Sequence, residues 1–290
     1  MAAEAHTAAN GPTPGEYIGH HLTHLRSQEQ VGIIDFSVIN LDSVFWSVLM
    51  GVLGLWFMWR VARKATSGVP SRTQAMVEML FEMVDNQAKA IVHNATSRKF
   101  VVPLALTVFV WVFLMNAMDF LPVDLLPRIW EWIYGAAGHD PRHAYMRVVP
   151  TADLSTTLGL SFSVLLICVY YNIKIKGLGG WAHELVAAPF GNHWALWIPN
   201  FLFQMIEFTA KTVSHGMRLF GNMYAGELVF MLIALMGAVG FGSATGIALW
   251  VGHILAGTGW VLFHILIVLL QAFIFMMLTL VYVGQAHDHH

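Results

Sequence analysis

The chain reads Gly216-Met217-Arg218-Leu219-Phe220-Gly221-Asn222-Met223-Tyr224-Ala225-Gly226-Glu227, and from Leu228 to His287 it contains no Asp, Glu, Lys or Arg. This setting predicts a permanent cation inside a membrane. Keeping an arginine near the centre of a bilayer costs between ~2.5 and ~17 kcal/mol, depending on how the cost is measured. A chain that retains such a residue is expected to use it, so the stretch indicates ion transport with a partner for Arg218 nearby.

The composition is that of an integral membrane protein. Of 290 residues, 57% are apolar and only 11% are charged, with a mean hydropathy of +0.62. Ordinary soluble domains carry about 25% charged residues. A net charge of -2, with 15 Lys and Arg spread along the chain, argues against a nucleic-acid partner. The single cysteine, Cys168, lies in an apolar run and predicts core packing.

The sequence lacks the patterns that hold nucleotides or metals. It has no Gly-rich phosphate loop of the Walker type and no Cys/His pattern with metal-ligand spacing. We therefore expect no cofactor and no metal in this chain. We also expect that the protein is not an enzyme on its own, and that any nucleotide chemistry takes place elsewhere.

Apolar runs of helical length predict an all-α integral membrane protein with five membrane-crossing helices. The crossings are expected at about 42–61, 100–121, 156–173, 199–236 and 249–283. An amphipathic surface helix is predicted at about 70–97, where apolar residues recur at helical spacing between charged ones. The last two crossings exceed the length of an upright span, so we expect a long, steeply tilted hairpin. Residues 1–41 then form an N-terminal extracytoplasmic segment and residues 42–290 a single membrane domain.

The basic residues predict the orientation of the chain. Arg and Lys concentrate after the first crossing, around the surface helix and after the third crossing. The positive-inside rule makes that side cytoplasmic. With five crossings the N-terminus is expected outside and the C-terminus in the cytoplasm. The region from Asp119 to Pro150, predicted to be a polar loop, faces outside.

Six polar residues of the fourth crossing share one face. On a helical wheel of ~100° per residue they fall within roughly 80° of one another. They are Gln204, Glu207, Lys211, Ser214, Arg218 and Asn222. The stripe is roughly 27 Å long and extends from the predicted cytoplasmic end to the middle of the membrane. Such a stripe is typical of a half-channel that ends at an arginine.

A second polar route is predicted toward the outside. Glu227 lies near 180° on the same wheel, roughly 13 Å beyond Arg218. The last crossing carries His264 and Gln271 on one face, and in an antiparallel hairpin Gln271 would lie nearer Arg218 and His264 nearer Glu227. Two further carboxylates, Asp119 and Asp153, are candidates for the outer route.

Arg218 differs from the other polar residues in having no simple structural interpretation. The chain offers it no obvious mid-membrane carboxylate, so we expect its partner on another protein. Structural roles stay open for the others: interhelical hydrogen bonding for Asn222 and Gln271, burial for His264, and an ordinary i, i+4 ion pair for Lys211 with Glu207. We interpret His215 and His253 as packing residues.

Several segments together resemble one known family. The most specific is Arg218-Leu219-Phe220-Gly221-Asn222-Met223-Tyr224-Ala225-Gly226-Glu227. The others are Phe263-His264-Ile265-Leu266-Ile267, Leu270-Gln271-Ala272-Phe273-Ile274-Phe275-Met276, Leu114-Met115-Asn116-Ala117-Met118-Asp119, Val148-Val149-Pro150-Thr151-Ala152-Asp153 and Pro189-Phe190-Gly191-Asn192-His193-Trp194. From about residue 40 onward the chain resembles subunit a of the bacterial F-type ATP synthase.

The resemblance implies a proton-channel stator subunit in the bacterial plasma (inner) membrane. Its partners would be a rotating ring of c subunits, each with one membrane carboxylate, and the peripheral-stalk b subunits. Arg218 matches the essential arginine of the family, and Asn222, Glu227, His264 and Gln271 match residues of its proton path. An arginine stays protonated, so it blocks a direct leak between the half-channels and protons cross only on the ring. Ring rotation would then couple proton flow to ATP synthesis.

Two positions depart from the family pattern. Gln204 stands where many relatives have a glutamate, and Glu207 lies one turn later on the same stripe. We hypothesise that Glu207 acts in place of that glutamate in the proton path on the cytoplasmic side. Normal pumping by Glu207→Gln would contradict this hypothesis. Thr212 stands where a proline often precedes the arginine segment, so the residue that would cause a kink there is missing.

Two other classes of protein share some of these features. A secondary transporter or a channel that conducts alone also uses broken helices and buried charges. The sequence shows no inverted repeat, however, because the surface helix and the loop before Pro150 have no counterpart in the second half. A purely structural scaffold leaves Arg218 and Glu227 unexplained.

Overall fold

The computed structural model describes residues 14–28, 35, 37–122, 125–138, 140, 144–187, 190–191, 193–237 and 243–286. Within these ranges the protein is helical, with one isolated bridge between Arg26 and Asn40 and no strand. In chain order the helices are α1 Pro14–Leu22, α2 Leu41–Arg63, α3 Arg72–Ile91, α4 Ala95–Ala117, α5 Leu125–Ala136, α6 Leu154–Ala187, α7 Trp197–Gly237 and α8 Ala244–Gln285.

Five of these helices are long and apolar enough to cross a membrane: α2, α4, α6, α7 and α8. Many of their large apolar side chains are exposed, among them Leu55, Leu166 and Leu262. Such surfaces suit a lipid environment, because lipid tails are as apolar as the side chains themselves. The predicted class, an all-α integral membrane protein with five crossing helices, is confirmed.

The chain divides into two compact units. The first contains Met1–Leu49, Met115–Asp153 and Asn222–Val268, and the second contains Met50–Leu114, Leu154–Gly221 and Leu269–His290. The two longest helices, α7 and α8, each contribute one part to each unit. Each unit therefore has its own cluster of polar residues from the same two helices.

The surface helix ends earlier than its sequence pattern suggests. Ser71 caps the start of α3 by accepting a hydrogen bond from the Gln74 amide, and the helix ends at Ile91 rather than near residue 97. Asn94 then accepts hydrogen bonds from the amides of Thr96 and Ser97. An asparagine in this position is a strong start signal, so residues 95–97 belong to the following membrane helix.

The region from Asp119 to Pro150 contains a helix that the prediction of a loop missed. This helix, α5, carries Leu125, Ile129, Trp132 and Ile133 on one face, and all four are exposed. Pro127 occupies the first turn, where a helix needs no amide hydrogen for its internal ladder. The prolines that suggested a loop are thus compatible with a short amphipathic helix.

The helix of the third crossing has a backbone break, whereas the helix of the fourth crossing is continuous. In α6 the backbone breaks at Gly177, with φ of 73°, and helical structure then resumes as far as Ala187. The ion pair of Lys176 with Glu184, at 2.8 Å, links the two sides of this break. By contrast α7 is continuous through Thr212, whose hydroxyl donates to the carbonyl of Phe208.

Helices α7 and α8 are antiparallel in both units. In the second unit Lys211 contacts Gln285, and Arg218 contacts Gln271. In the first unit Gly226 contacts His264, and the carbonyl of Ile233 lies 2.6 Å from Nδ1 of His253. Residue numbers rise along α7 as they fall along α8, which is the order of a hairpin. The contact of His253 with a backbone carbonyl agrees with its interpretation as a packing residue.

Candidate functional site

Asp119 and His264 meet in the first unit. Nε2 of His264 lies 2.7 Å from Oδ2 of Asp119, and the side chains are 0% and 5% exposed. The two atoms are close without the alignment of a hydrogen bond, and neither has another hydrogen-bond partner among the described residues. A buried carboxylate beside an imidazole is an arrangement that can hold or pass one proton.

Gly226 makes room for His264. A Cβ atom built on Gly226 would overlap Cε1 of the imidazole and would lie 3.0 Å from Nδ1. Aromatic rings of Phe120, Phe230 and Trp260 surround the same imidazole, with centroid separations of 5.6, 5.1 and 6.0 Å. The ring position of His264 is therefore fixed by packing on several sides.

Glu227 forms a buried ion pair with Arg147. Nη2 and Nε of Arg147 both donate to Oε2 of Glu227, at 2.5 and 3.2 Å, and the side chains are 5% and 9% exposed. The guanidinium also lies 5.3 Å from the ring centroid of Tyr224, one turn back on α7. Two N–H donors of one guanidinium therefore hold a single oxygen of Glu227.

Arg147 is itself held by the N-terminal part of the chain. Its backbone amide donates to Oδ2 of Asp42, at 3.0 Å, and its Nη1 lies 3.1 Å from Nε2 of His24. The amide of Leu25 donates to the same oxygen of Asp42. In the sequence, Asp42 lies 105 residues and His24 lies 123 residues from Arg147.

Asp119 and Glu227 line one cavity. It holds about 30 Å³, and its other lining residues include His21 of α1 and Met118, Pro122 and Met146. A cavity needs about 10 to 15 Å³ to hold one water molecule, so this cavity has room for ordered water between polar groups.

Asp153 and Asn116 lie in the same unit but in separate hydrogen bonds. Asn40 donates to Oδ2 of Asp153 at 2.9 Å, and Thr151 donates to Oδ1 of Asn116 at 2.7 Å. Asp153 is 4% exposed and does not line the cavity of Asp119 and Glu227.

In the second unit Arg218 lies on an exposed face of α7. Among the described residues of this unit, none forms a hydrogen bond or an ion pair with its guanidinium. Its backbone carbonyl accepts a hydrogen bond from Nε2 of Gln271, at 2.6 Å. An antiparallel hairpin predicted that Gln271 would lie near Arg218. His215 is 2% exposed and packs its ring 3.8 Å from that of Phe275.

A second polar cluster lies nearer the N-terminal end of α7 in the same unit. Nζ of Lys211 lies 2.6 Å from Glu207, the i, i+4 pair noted in the sequence, and 3.1 Å from Oε1 of Gln285. Lys211 and Gln285 also line a cavity of about 30 Å³, together with Ser161, Cys168 and Tyr282. Gln204 is half-buried and Ser214 is exposed on the same helix.

Comparison with known proteins assigns the family. The ATP synthase A chain family matches residues 44–284. The chain belongs to this family. Its relatives include proteins named ATP synthase subunit a from Paracidovorax citrulli (strain AAC00-1) and from Acidovorax sp. (strain JS42), each 67% identical. Another, from Verminephrobacter eiseniae (strain EF01-2), is 60% identical. All three alignments cover 100% of this chain and 100% of the relative.

For this ATP synthase A chain family member, the structure groups the residues selected from the sequence into two sets. Asp119, Glu227 and His264 come together in the first unit, and Arg218 and Gln271 in the second. Sequence reasoning missed Arg147, Asp42 and His24 as members of the first set. A usable signal was present, because Arg147 is the only charge in the apolar run from Ala144 to Ala152.

Proposed function

We propose that this protein is the proton-channel stator subunit of the membrane Fo sector of a bacterial ATP synthase. Protons reach the carboxylates of a c-subunit ring through one half-channel and leave through a second, offset one. Arg218 separates the two, so proton flow turns the ring and drives ATP synthesis in the soluble head. The observation that carries the proposal is the exposed guanidinium of Arg218, which has no hydrogen bond or ion pair among the described residues of its unit, on an apolar helix of 41 residues.

The setting of Arg218 supports a partner on another protein. An unpaired cation in hydrocarbon is costly, and a ring carboxylate can remove that cost only while it is ionised. Ser214, Gly221 and Ala225 are exposed on α7 around the arginine. Small residues let a neighbouring helix approach closely in a membrane. A carboxylate on the ring would therefore lose its proton on reaching Arg218 and regain one on leaving it.

The first unit supports an outer half-channel. Asp119, His264 and Glu227 are buried polar groups near or around a cavity that can hold water. Asn222 lies about one turn of α7 before Glu227, between it and Arg218 in the sequence. Asp153 is a more distant member of the route. Protons from outside would pass through these groups to the ring.

The second unit supports an inner half-channel. Gln204, Glu207, Lys211 and Ser214 follow one stripe of α7 toward Arg218, and Gln271 holds the backbone beside the arginine. Glu207 is the only carboxylate of the stripe and supplies the acid that Gln204 lacks. A Glu207→Gln variant is expected to lose pumping on this account, and the matched Gln204→Glu variant to retain it.

The remaining parts of the proposal follow from family membership and from the charge distribution. The protein would lie in the plasma membrane with its N-terminus outside and its C-terminus in the cytoplasm, following the positive-inside rule. It would contact the c-subunit ring through the Arg218 face of α7. Peripheral-stalk b subunits would hold it against rotation.

The test is proton movement in membrane vesicles that carry Arg218→Ala in the assembled complex. We expect ATP-driven acidification to be lost and the passive proton leak to rise, because the fixed charge between the half-channels is gone. Arg63→Ala, a basic residue at the end of α2, is the matched control and should leave both measurements unchanged. Normal pumping by Arg218→Ala would overturn the proposal.

A further inference from the structure

Among the described residues of the N-terminal segment, His24 contacts Arg147, which holds Glu227 of the candidate outer half-channel. Its side chain is 9% exposed and lies between two charged groups of the same unit. Nδ1 is 3.4 Å from Oδ2 of Asp42, and Nε2 is 3.1 Å from Nη1 of Arg147. Two other histidines of this segment, His20 and His21, make ring contacts with each other.

The geometry determines which form of His24 fits this place. A guanidinium has only N–H donors and accepts no hydrogen bond. Nε2 of His24 must therefore offer its lone pair to Arg147, and the ring proton must sit on Nδ1, facing the carboxylate of Asp42. A neutral imidazole with this tautomer gives Arg147 an acceptor, while Nδ1 lies 3.4 Å from Asp42 without the alignment of a hydrogen bond. A protonated imidazole has donors at both nitrogens and no acceptor for Arg147.

Arg147 transmits the state of His24 to the proton path. Nη1 faces His24, while Nη2 and Nε of the same rigid guanidinium hold Oε2 of Glu227. The three nitrogens share one plane, so a contact at Nη1 fixes the direction of the other two. A shift of the guanidinium away from His24 must therefore move the oxygen of Glu227 that it holds.

We infer that His24 is a positioning residue that holds Glu227 in place through Arg147, and that it does so only as the neutral imidazole. The inference rests on the proposed role of Glu227 in the outer half-channel. In its protonated form His24 has no acceptor for Arg147, so it loses that contact and turns its charge toward Asp42. Glu227 is then held less firmly, and proton flow through the outer half-channel slows.

The experiment uses the whole ATP synthase reconstituted in liposomes, with the outer face of this protein toward the lumen. ATP synthesis is measured as the lumen pH is varied between 5 and 8, the range in which imidazoles titrate. A potassium diffusion potential is adjusted at each pH to keep the total driving force constant. His24→Gln can place its carbonyl oxygen near the position of Nε2 and so retains an acceptor for Arg147, but it does not titrate, whereas His24→Lys carries a permanent positive charge.

We expect the rate of the unmodified enzyme, relative to His24→Gln, to fall roughly three- to tenfold between the alkaline and the acidic end, the effect of one net hydrogen bond. His24→Lys should be slow at every pH, by a similar factor. The matched control is His20→Gln in the same segment, which should follow the unmodified profile. The inference is overturned when His24→Gln retains the pH dependence of the unmodified enzyme, or when His24→Lys is as fast as His24→Gln.

A Glu227→Gln variant in the same assay separates the two proposals. ATP synthesis at the unmodified rate by this variant would remove Glu227 from the proton path and so contradict the proposed function. Loss of ATP synthesis by Glu227→Gln, with unmodified behaviour of both His24 variants, would leave the proposed function standing and overturn the inference alone.

Discussion

At the scale of single residues, a glycine packs against a large side chain at one contact of the first unit, between Gly226 and His264. His264 reaches Asp119 because Gly226 on the facing helix leaves space for its ring. Close packing in protein interiors leaves no room for even one additional methyl group at such a contact. The pairing of a glycine with a histidine therefore determines where the imidazole lies.

Gly226→Ala is expected to displace His264 from Asp119. The added methyl group would overlap Cε1 of the ring, and such overpacking costs about 1 to 3 kcal/mol. We expect ATP-driven proton pumping in vesicles to fall by about tenfold or more while the complex still assembles. Gly259→Ala is the control, since nothing lies within 4 Å of a Cβ atom at that position. Equal pumping by the two variants would contradict this account of Gly226.

The sequence identified several of the site residues for reasons that operate along one helix. Arg218 is recognisable because a cation in an apolar stretch is costly wherever the chain folds. Arg147 was missed because its partners Glu227 and His24 are 80 and 123 residues away in the chain. Helical spacing carries no information about contacts at such separations.

At the scale of elements, α7 has one packed face and one exposed face within the second unit. On the packed face Ser161 of α6 donates to the carbonyl of Thr212, at 2.5 Å, and a Cβ atom on Gly216 would lie 3.0 Å from the carbonyl oxygen of Thr157. On the other face Arg218 and Gly221 are exposed. A membrane helix with a charged, small-residue face needs a partner helix there.

Gly221→Leu is expected to leave the folding of α7 unchanged and to impair its contact with the c-subunit ring. A Cβ atom at Gly221 meets nothing within 4 Å, so the helix tolerates the larger side chain. On the proposed ring face, however, the leucine would keep a neighbouring helix at a distance and lower pumping by about tenfold or more.

The matched control for this experiment is Gly159→Leu on α6, where a Cβ atom also meets nothing within 4 Å. Both variants are expected to accumulate in membranes to the same level, as measured by immunoblot. Pumping by Gly221→Leu at the level of Gly159→Leu would show that this face of α7 does not meet the ring.

At the scale of the whole molecule, the proposed orientation puts the N-terminus outside and the C-terminus in the cytoplasm. In the sequence, the crossing helix α4 lies between the turn after α2 and the end of α5, so these two places are expected on opposite sides of the membrane. Gly68 and Ala137 are exposed at these two places. The bias of Arg and Lys predicts that the Gly68 side is cytoplasmic.

Cysteine labelling tests this orientation. In a Cys168→Ser background, Ala137→Cys should react with a membrane-impermeant maleimide on intact spheroplasts, and Gly68→Cys only after the membrane is opened. Serine retains a donor for the carbonyl of Tyr282, which the thiol of Cys168 contacts at 3.0 Å. Labelling in the reverse order would mean that the N-terminus lies in the cytoplasm.

The sequence by itself determined the membrane class, the five crossings, the central place of Arg218 and the polar stripe of α7. These follow from hydrophobicity and helical period, which are properties of consecutive residues. Only the tertiary structure decided that Arg147 holds Glu227, that Asp119 meets His264 and that the N-terminal His24 joins them. Such pairings depend on how side chains from distant segments fill the space between packed helices, and a one-dimensional pattern does not contain that information.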